Sequence, residues 1–160
     1  MKDIQALPTH QEAKSALDRL IEGFLDREES SSLEDIQTAT LGIAKGVQIR
    51  DYALGAIGLT LGDPEDSLAF IEGLMTLGTN SPALEALKSA YAYEAGDKAL
   101  ALSCLEKALA LDPAHSLSAL LKRVYGAGWP PASFVSMRNE LHAKVEAGLA
   151  PLEAVIVGQE

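Results

Sequence analysis

Apolar residues recur at intervals of three and four along most of the chain, which is the period of an amphipathic α-helix. The first such segment covers about 10–27. Its apolar stripe consists of Ala13, Leu17, Leu20, Ile21, Phe24 and Leu25. Thr9 precedes this stripe, and Glu12 follows Thr9 at the spacing of a capping box. We therefore predict that the first helix begins just after Thr9.

Cap residues, prolines and glycines mark the ends of the helices that follow. Ser32 can cap a second helix after a polar loop. Asp63-Pro64 and Ser81-Pro82 each place a cap residue before a proline, which suits the first turn of a helix. The later predicted helices cover about 49–61, 63–78, 81–95, 97–111, 114–125 and 131–148. The short turns between them predict antiparallel neighbours.

One stretch of the chain, residues 81–113, resembles a unit of the tetratricopeptide repeat. The residues that carry the resemblance are Gly96, Asp97, Ala101, Leu105, Ala108, Leu109, Leu111, Asp112 and Pro113. The first helix of the unit departs from the repeat pattern. Glu85, Lys88 and Ser89 stand where the repeat usually has an aromatic residue, a leucine and a glycine. Residues 48–80 form a degenerate copy, one repeat length of about 34 residues upstream.

These patterns predict an all-α fold of antiparallel helical hairpins, with about six to eight helices. A compact bundle and a short tetratricopeptide-like solenoid both fit, because two or three imperfect repeats are near the lower limit of a stable solenoid. We assign residues 1–150 to a single helical domain, which agrees with a chain of 160 residues. Residues 151–160 form a tail.

The charge of the chain disfavours nucleic acid and membranes as partners. The formal net charge is -10, and a surface that binds DNA needs a stripe of basic residues. The same charge disfavours an anionic membrane surface. No apolar run approaches the roughly 20 residues that span a bilayer.

Two further features favour a reducing, cytoplasmic setting. The segment from Met1 to Pro8 lacks the apolar region of a signal peptide. Cys104 is the only cysteine, so an internal disulfide is impossible.

The sequence contains no recognisable catalytic or metal-binding arrangement. It has no glycine-rich phosphate loop that ends in Gly-Lys-Ser or Gly-Lys-Thr. His10, His115 and His142 are far apart and lack the spacing of zinc ligands. Cys104 lies in the middle of a predicted helix, without the basic setting that activates a thiol. We therefore expect a protein that is not an enzyme and that uses no cofactor or metal.

Candidate partner contacts lie in and after the repeat-like unit. We expect Tyr91, Glu94 and Lys98 to face a groove, because repeats of paired helices bind partners in grooves. Trp129 belongs to an aromatic cluster at the Gly-Pro turn before the last helix. That cluster is either a hydrophobic plug at the end of the helical stack or an exposed binding anchor.

An acidic run surrounds the connection between the first two helices. Its members are Asp26, Glu28, Glu29, Glu34 and Asp35. One interpretation is a solvated loop followed by acids in a first helical turn, where they interact favourably with the helix dipole. The other is an interaction surface for a basic partner, with Glu28 and Glu29 as the candidate contacts.

A second resemblance concerns residues 50–134, about half of the chain. The features that carry it are Arg50-Asp51, Ala83 to Ala95 with Gly96-Asp97, Ala101, Leu105 to Leu109, Asp112-Pro113, Ser116-Leu117 and Gly128-Trp129-Pro130-Pro131. This stretch resembles the C-terminal helical half of an actinobacterial and actinophage family known only as a domain of unknown function. The resemblance implies a bacterial or phage cytoplasmic protein and supplies no catalytic residues.

The leading hypothesis for function is a noncatalytic module that binds another protein. It depends on the repeat-like helix pair and on the lack of a recognisable catalytic arrangement. The alternative is a small acidic effector, of a kind that a phage can encode, that binds a nucleic-acid-handling host protein. A second copy of the chain could also cover apolar faces left open by a short stack, so a homo-oligomer is a further alternative.

Overall fold

The computed structural model describes residues 7–27 and 32–147. Within these two ranges the chain forms eight α-helices and no strand, so the predicted all-α fold is confirmed. The helices are α1 (His10–Leu25), α2 (Leu33–Lys45), α3 (Val47–Leu61), α4 (Pro64–Leu77), α5 (Pro82–Glu94), α6 (Lys98–Leu111), α7 (Ser116–Gly126) and α8 (Pro131–Glu146). No helix in these ranges is long and apolar enough to cross a membrane.

The predicted cap residues begin the helices as expected. The Thr9 hydroxyl accepts a hydrogen bond from the Glu12 amide at 3.0 Å, and the Glu12 carboxylate accepts one from the Thr9 amide at 2.8 Å. This pair is a complete capping box. Ser32, Asp63 and Ser81 cap α2, α4 and α5 through their side chains. Each cap satisfies a backbone amide that the first turn of a helix leaves without a partner.

Two helices, α3 and α5, form the centre of the fold. Every residue from Ile49 to Gly58 in α3 is buried, and α5 is almost as deeply enclosed. Helix α3 contacts α1, α2, α4 and α8, while α5 contacts α4, α6, α7 and α8. A helix that is apolar on most sides is stable only when neighbours cover it on most sides. The apolar character of α3 and α5 therefore determines their central place.

The outer hairpin of α1 and α2 is held together by a very close helix approach. A Cβ atom added to Gly42 would lie 2.5 Å from the Cβ of Ala13, a distance that real Cβ atoms do not show. Both residues are buried. Small residues at this crossing bring α1 and α2 near each other and define the surface that they share.

Helical hairpins occupy both stretches in which we predicted repeat-like units. Helices α3 and α4 lie within 48–80 apart from the first residue of α3, and α5 and α6 lie within 81–113. Gly62 and Gly96 make the turns with φ of 81° and 85°, a region that glycine adopts without strain. The helix pairs are confirmed, whereas their relation as tetratricopeptide-like repeats stays a prediction. The predicted tail at 151–160 lies outside the described residues.

Candidate partner-binding groove

An apolar groove opens on the surface between α1, α2 and α4. It has a volume of about 100 Å³. Its walls consist of Leu20 and Phe24 from α1, Ile36 from α2, and Ala69, Phe70, Gly73, Leu74 and Leu77 from α4. All of these residues are apolar, and we call this feature the α1–α4 groove. An apolar surface of this kind on a protein is a candidate interaction site.

Two aromatic residues form one end of the α1–α4 groove. The rings of Phe24 and Phe70 meet edge to face, with their centroids 5.5 Å apart. Phe70 is buried in the core, whereas Phe24 keeps 37% of its surface exposed. Edge-to-face packing is a favourable arrangement of two aromatic rings. The exposed part of Phe24 is therefore supported from beneath by a buried aromatic residue.

Helix α4 supplies the other wall through three exposed positions at four-residue spacing. These positions are Ala69, Gly73 and Leu77, which lie along one face of the helix. Leu77 is 58% exposed. A Cβ atom added to Gly73 would meet no atom within 4 Å, so space is open above this residue. The wall is lowest at Gly73, where a side chain from outside could enter.

The size of the groove limits what can bind there. Pockets that enclose small-molecule ligands usually exceed about 300 Å³ and combine apolar walls with a few polar groups. The α1–α4 groove is about 100 Å³ and is lined by apolar residues, so it suits one or two side chains of a partner chain. Within residues 7–27 and 32–147, no cluster of three or more His, Cys, Asp or Glu side chains could hold a metal ion.

Tyr91 does not face a groove, contrary to the sequence-based prediction. Its side chain is fully buried between α3 and α5. The Tyr91 hydroxyl accepts a hydrogen bond from the Gly58 amide at 2.8 Å and donates one to the Leu54 carbonyl. Burial raises the pKa of this hydroxyl well above its usual range, so it stays protonated. Tyr91 is a core residue that is unavailable to a partner.

Glu94 and Lys98 do not form the predicted groove with Tyr91 either. The Glu94 carboxylate is only 2% exposed and accepts two hydrogen bonds from the Arg138 guanidinium, at 2.6 and 2.7 Å. Arg138 also lies over the Tyr91 ring at 5.3 Å from its centroid. Lys98 is exposed at the beginning of α6. The prediction that these three residues share a groove is wrong, because two of them are buried and serve the contact between α5 and α8.

The aromatic cluster around Trp129 packs mostly inside the protein, as its interpretation as a hydrophobic plug predicts. The Tyr93 ring stacks on Tyr125 at a centroid distance of 4.3 Å and meets Phe134 edge to face at 6.4 Å. The Tyr93 hydroxyl donates a hydrogen bond to the Trp129 carbonyl. Trp129 is partly buried and packs against the core. The cluster packs against the turn before α8, and Trp129 as a partner contact stays a prediction.

The acidic run is only partly covered by the structure. Glu28 and Glu29 lie outside the described residues. Asp35 accepts two hydrogen bonds from the Arg19 guanidinium, at 2.8 and 3.0 Å, and these bonds hold its pKa below the usual value. Both residues line a wide depression of about 890 Å³ between α1 and α2, whose walls mix polar and apolar side chains. One acid of the run is thus an intramolecular partner.

Comparison with known families identifies the group to which this chain belongs. The family model DUF4192, a domain of unknown function, matches residues 5–132. The chain belongs to the DUF4192 family. None of the curated proteins or solved structures compared with the chain gives a significant match.

The DUF4192 match is wider than the resemblance over residues 50–134 predicted. It begins at residue 5, so it includes α1 and α2, and it ends near the beginning of α8. All three helices that line the α1–α4 groove therefore lie within the DUF4192 region. The prediction of an uncharacterised family is confirmed, while the actinobacterial or phage origin stays a prediction.

The α1–α4 groove was missed in the sequence because its residues follow the same pattern as the core. Phe24 belongs to the apolar stripe of α1, which predicts burial. One signal was available. Phe24 and Leu25 are the last two apolar residues of the stripe, at the end of α1, and the structure leaves both exposed. The face with Ala69 and Gly73 was a second signal, since it continues an apolar stripe with small residues.

A buried histidine in this DUF4192 member predicts a pH-dependent stability. His142 on α8 packs against Gly55 and the Tyr52 ring, and its Nδ1 atom has no hydrogen-bond partner among the described residues. Burial lowers the pKa of His142, although the nearby carboxylates of Asp18 and Glu146 oppose this effect. The unfolded chain takes up a proton near pH 6.5, and the folded protein does so only at lower pH. Stability should therefore fall as the pH drops below about 6.5.

We expect His142→Gln to reduce this loss of stability between pH 7 and pH 5. The measurement is the free energy of urea unfolding at several pH values, followed by circular dichroism. His10→Gln is the matched control, since His10 is exposed. Identical pH profiles for the native chain and His142→Gln would show that His142 does not titrate with folding.

Proposed function

We propose that this protein is a noncatalytic module that binds another protein through the α1–α4 groove. The observation that supports this function is the open apolar groove itself, with the partly exposed ring of Phe24 and the exposed side chain of Leu77. Aromatic anchors beside apolar pockets contribute much of the binding energy in protein interfaces. The proposed setting is the cytoplasm, where the single cysteine would stay reduced.

Several buried polar side chains among the described residues are bonded to other parts of the fold, which supports a structural role for them. Glu94 and Arg138 pair with each other, and Tyr91 bonds to the backbone of α3. Cys104 is buried, and its burial raises the pKa of the thiol, which disfavours the reactive thiolate. These polar side chains are engaged by the fold instead of facing a shared cleft.

The function is tested by filling the groove without disturbing the fold. Gly73→Trp should block the groove, because the open space above Gly73 accommodates a new side chain outside the core. We expect a protein that the native chain captures from a lysate of the source organism to be recovered at least about tenfold less well by Gly73→Trp. Such a loss corresponds to about 1.4 kcal/mol of binding free energy.

Gly126→Trp is the matched control for this capture experiment. Gly126 is also an exposed glycine in a helix, and an added Cβ would meet no atom within 4 Å. It lies at the end of α7, away from the groove. Quantitative mass spectrometry should show the same partner with the native chain and with Gly126→Trp. If no captured protein distinguishes Gly73→Trp from Gly126→Trp, the proposed groove function is wrong.

A second candidate function is that of a small acidic effector that binds a nucleic-acid-handling host protein. It is favoured by the exposed acids Glu22, Asp26 and Glu34 next to the connection between α1 and α2, together with the net charge of -10. The chain should then compete with DNA for one target, and added salt should weaken the competition. Charge reversal of both Glu28 and Glu29 should abolish the competition, and an unchanged effect would exclude this function.

A further inference from the structure

We infer that the α1–α4 groove binds an amphipathic helix that carries lysine or arginine beside its apolar face. This inference rests on the proposed function and names the chemistry of the partner. It comes from the charges that border the groove, from the shape of its walls and from the absence of polar groups within it.

The first observation is a pair of acids at one end of the groove. Glu65 and Asp66 lie in the first turn of α4 and are exposed. Glu65 precedes Ala69 by four residues, and Asp66 precedes Phe70 by four, so both acids share the helix face that lines the groove. Among the described residues, neither acid forms a salt bridge, whereas Glu72 on the same helix pairs with Lys88.

The α1 wall adds no negative charge at the groove. Glu22 and Asp26 are exposed, but each lies two positions from Phe24 and therefore on a different side of α1 from the groove. The contact between Phe24 and Phe70 brings the end of α1 next to α4. The negative charge at the groove therefore comes from Glu65 and Asp66. A partner with cations in these positions would complement this charge and avoid repulsion.

The shape of the groove favours a helix as the partner. The α4 wall from Ala69 to Leu77 is about 12 Å long, which is about two turns of a helix. Apolar anchors at intervals of three and four on a partner helix match a wall of this length. The low point at Gly73 offers room for one anchor, and the exposed edge of Phe24 offers a contact for the next.

The acids of α4 can also be explained by a role within the chain alone. The experiment must distinguish that role from binding to a partner. Glu65 and Asp66 stand at the positive end of the helix dipole and stabilise α4 there. That role predicts a change in stability on charge reversal and no change in the binding of a peptide. Peptide binding by the intact folded chain therefore distinguishes the two roles.

The probe is a synthetic amphipathic helix made of leucine and lysine, compared with its counterpart made of leucine and glutamate. Fluorescence anisotropy should show that the native chain binds the lysine peptide at least about tenfold more tightly than the glutamate peptide. Gly73→Trp should lower the affinity for the lysine peptide about tenfold, because the apolar contact is lost. Gly126→Trp should leave this affinity unchanged.

A matched pair of charge variants tests whether the charges at the groove matter. The double variant with Glu65→Lys and Asp66→Lys should bind the lysine peptide about tenfold more weakly. Glu106→Lys with Glu140→Lys changes the net charge equally at exposed sites on α6 and α8, and it should have less than about a twofold effect. Circular dichroism confirms that each variant is folded before binding is compared.

Each contrary outcome has a definite meaning. Equal losses in the two charge variants would reveal general electrostatic attraction and overturn the inference. Equal binding of the lysine and glutamate peptides would overturn the charge assignment. If a captured protein depends on Gly73 but is insensitive to reversal of Glu65 and Asp66, the proposed function stands and the inferred partner chemistry is wrong.

Discussion

Replacing Glu94 with alanine is expected to lower the free energy of unfolding by about 3–5 kcal/mol, because it leaves a buried cation without its partner. The Arg138 side chain is 5% exposed, and Glu94 is its carboxylate partner through two short hydrogen bonds. The charge cannot reach water without movement of α8. Urea unfolding, followed by circular dichroism, measures the change.

The control for this prediction removes both charges. A chain with Glu94→Leu and Arg138→Met replaces the ion pair by apolar side chains, and it should recover most of the lost stability. The single variant Arg138→Met should be destabilised because it strands the carboxylate of Glu94. If Glu94→Ala costs less than about 1 kcal/mol, the pair would behave like an exposed salt bridge, and α8 would not be firmly docked.

Replacing Tyr91 with alanine is expected to cost about 3–5 kcal/mol of stability, the range for removing a large buried aromatic side chain. Tyr91 is among the largest fully buried side chains, and it fills the space between α5 and α3. Its hydroxyl bridges the Leu54 carbonyl and the Gly58 amide, two groups that pair directly in a regular helix. Thermal or urea unfolding measures the loss.

A milder substitution at Tyr91 separates the contribution of its hydroxyl, and Lys98→Ala serves as an exposed control. Tyr91→Phe keeps the ring, and its cost should be about 1 kcal/mol, because Leu54 and Gly58 can pair with each other once the hydroxyl is gone. Lys98→Ala should change stability by less than about 0.5 kcal/mol, since Lys98 is exposed. Unchanged stability in Tyr91→Ala with a loss of partner binding would return Tyr91 to the groove that the sequence predicted.

The arrangement of the fold separates two kinds of contact in this DUF4192 member. Helices α1, α2 and α4 present the groove and lie within the matched residues 5–132. Helix α8 lies almost entirely after that region and docks on α3 through Arg138 and His142, which sit above Gly58 and Gly55. The Glu94 and His142 variants therefore probe the docking of α8, whereas the Gly73 variants probe the groove, and the two sets should not affect each other.

The beginnings of the helices were predictable from short stretches of sequence. Thr9, Ser32, Asp63 and Ser81 each cap the helix that the sequence assigned to them. A cap depends on backbone amides only two or three residues away, so its effect is local and can be read in the sequence. The same holds for Gly96, where the tight turn needs a positive φ.

The accessibility of individual side chains was decided only by the tertiary structure. Helical periodicity shows which residues share a face, but not which faces another helix will cover. Glu94 appeared to be a surface acid, yet Arg138, a residue 44 positions later, draws it into a buried pair. Phe24 appeared to be a core residue, yet its contact with Phe70 of α4 leaves 37% of its surface exposed. Local sequence thus determined the eight helices, and packing between distant parts of the chain decided where the candidate binding surface lies.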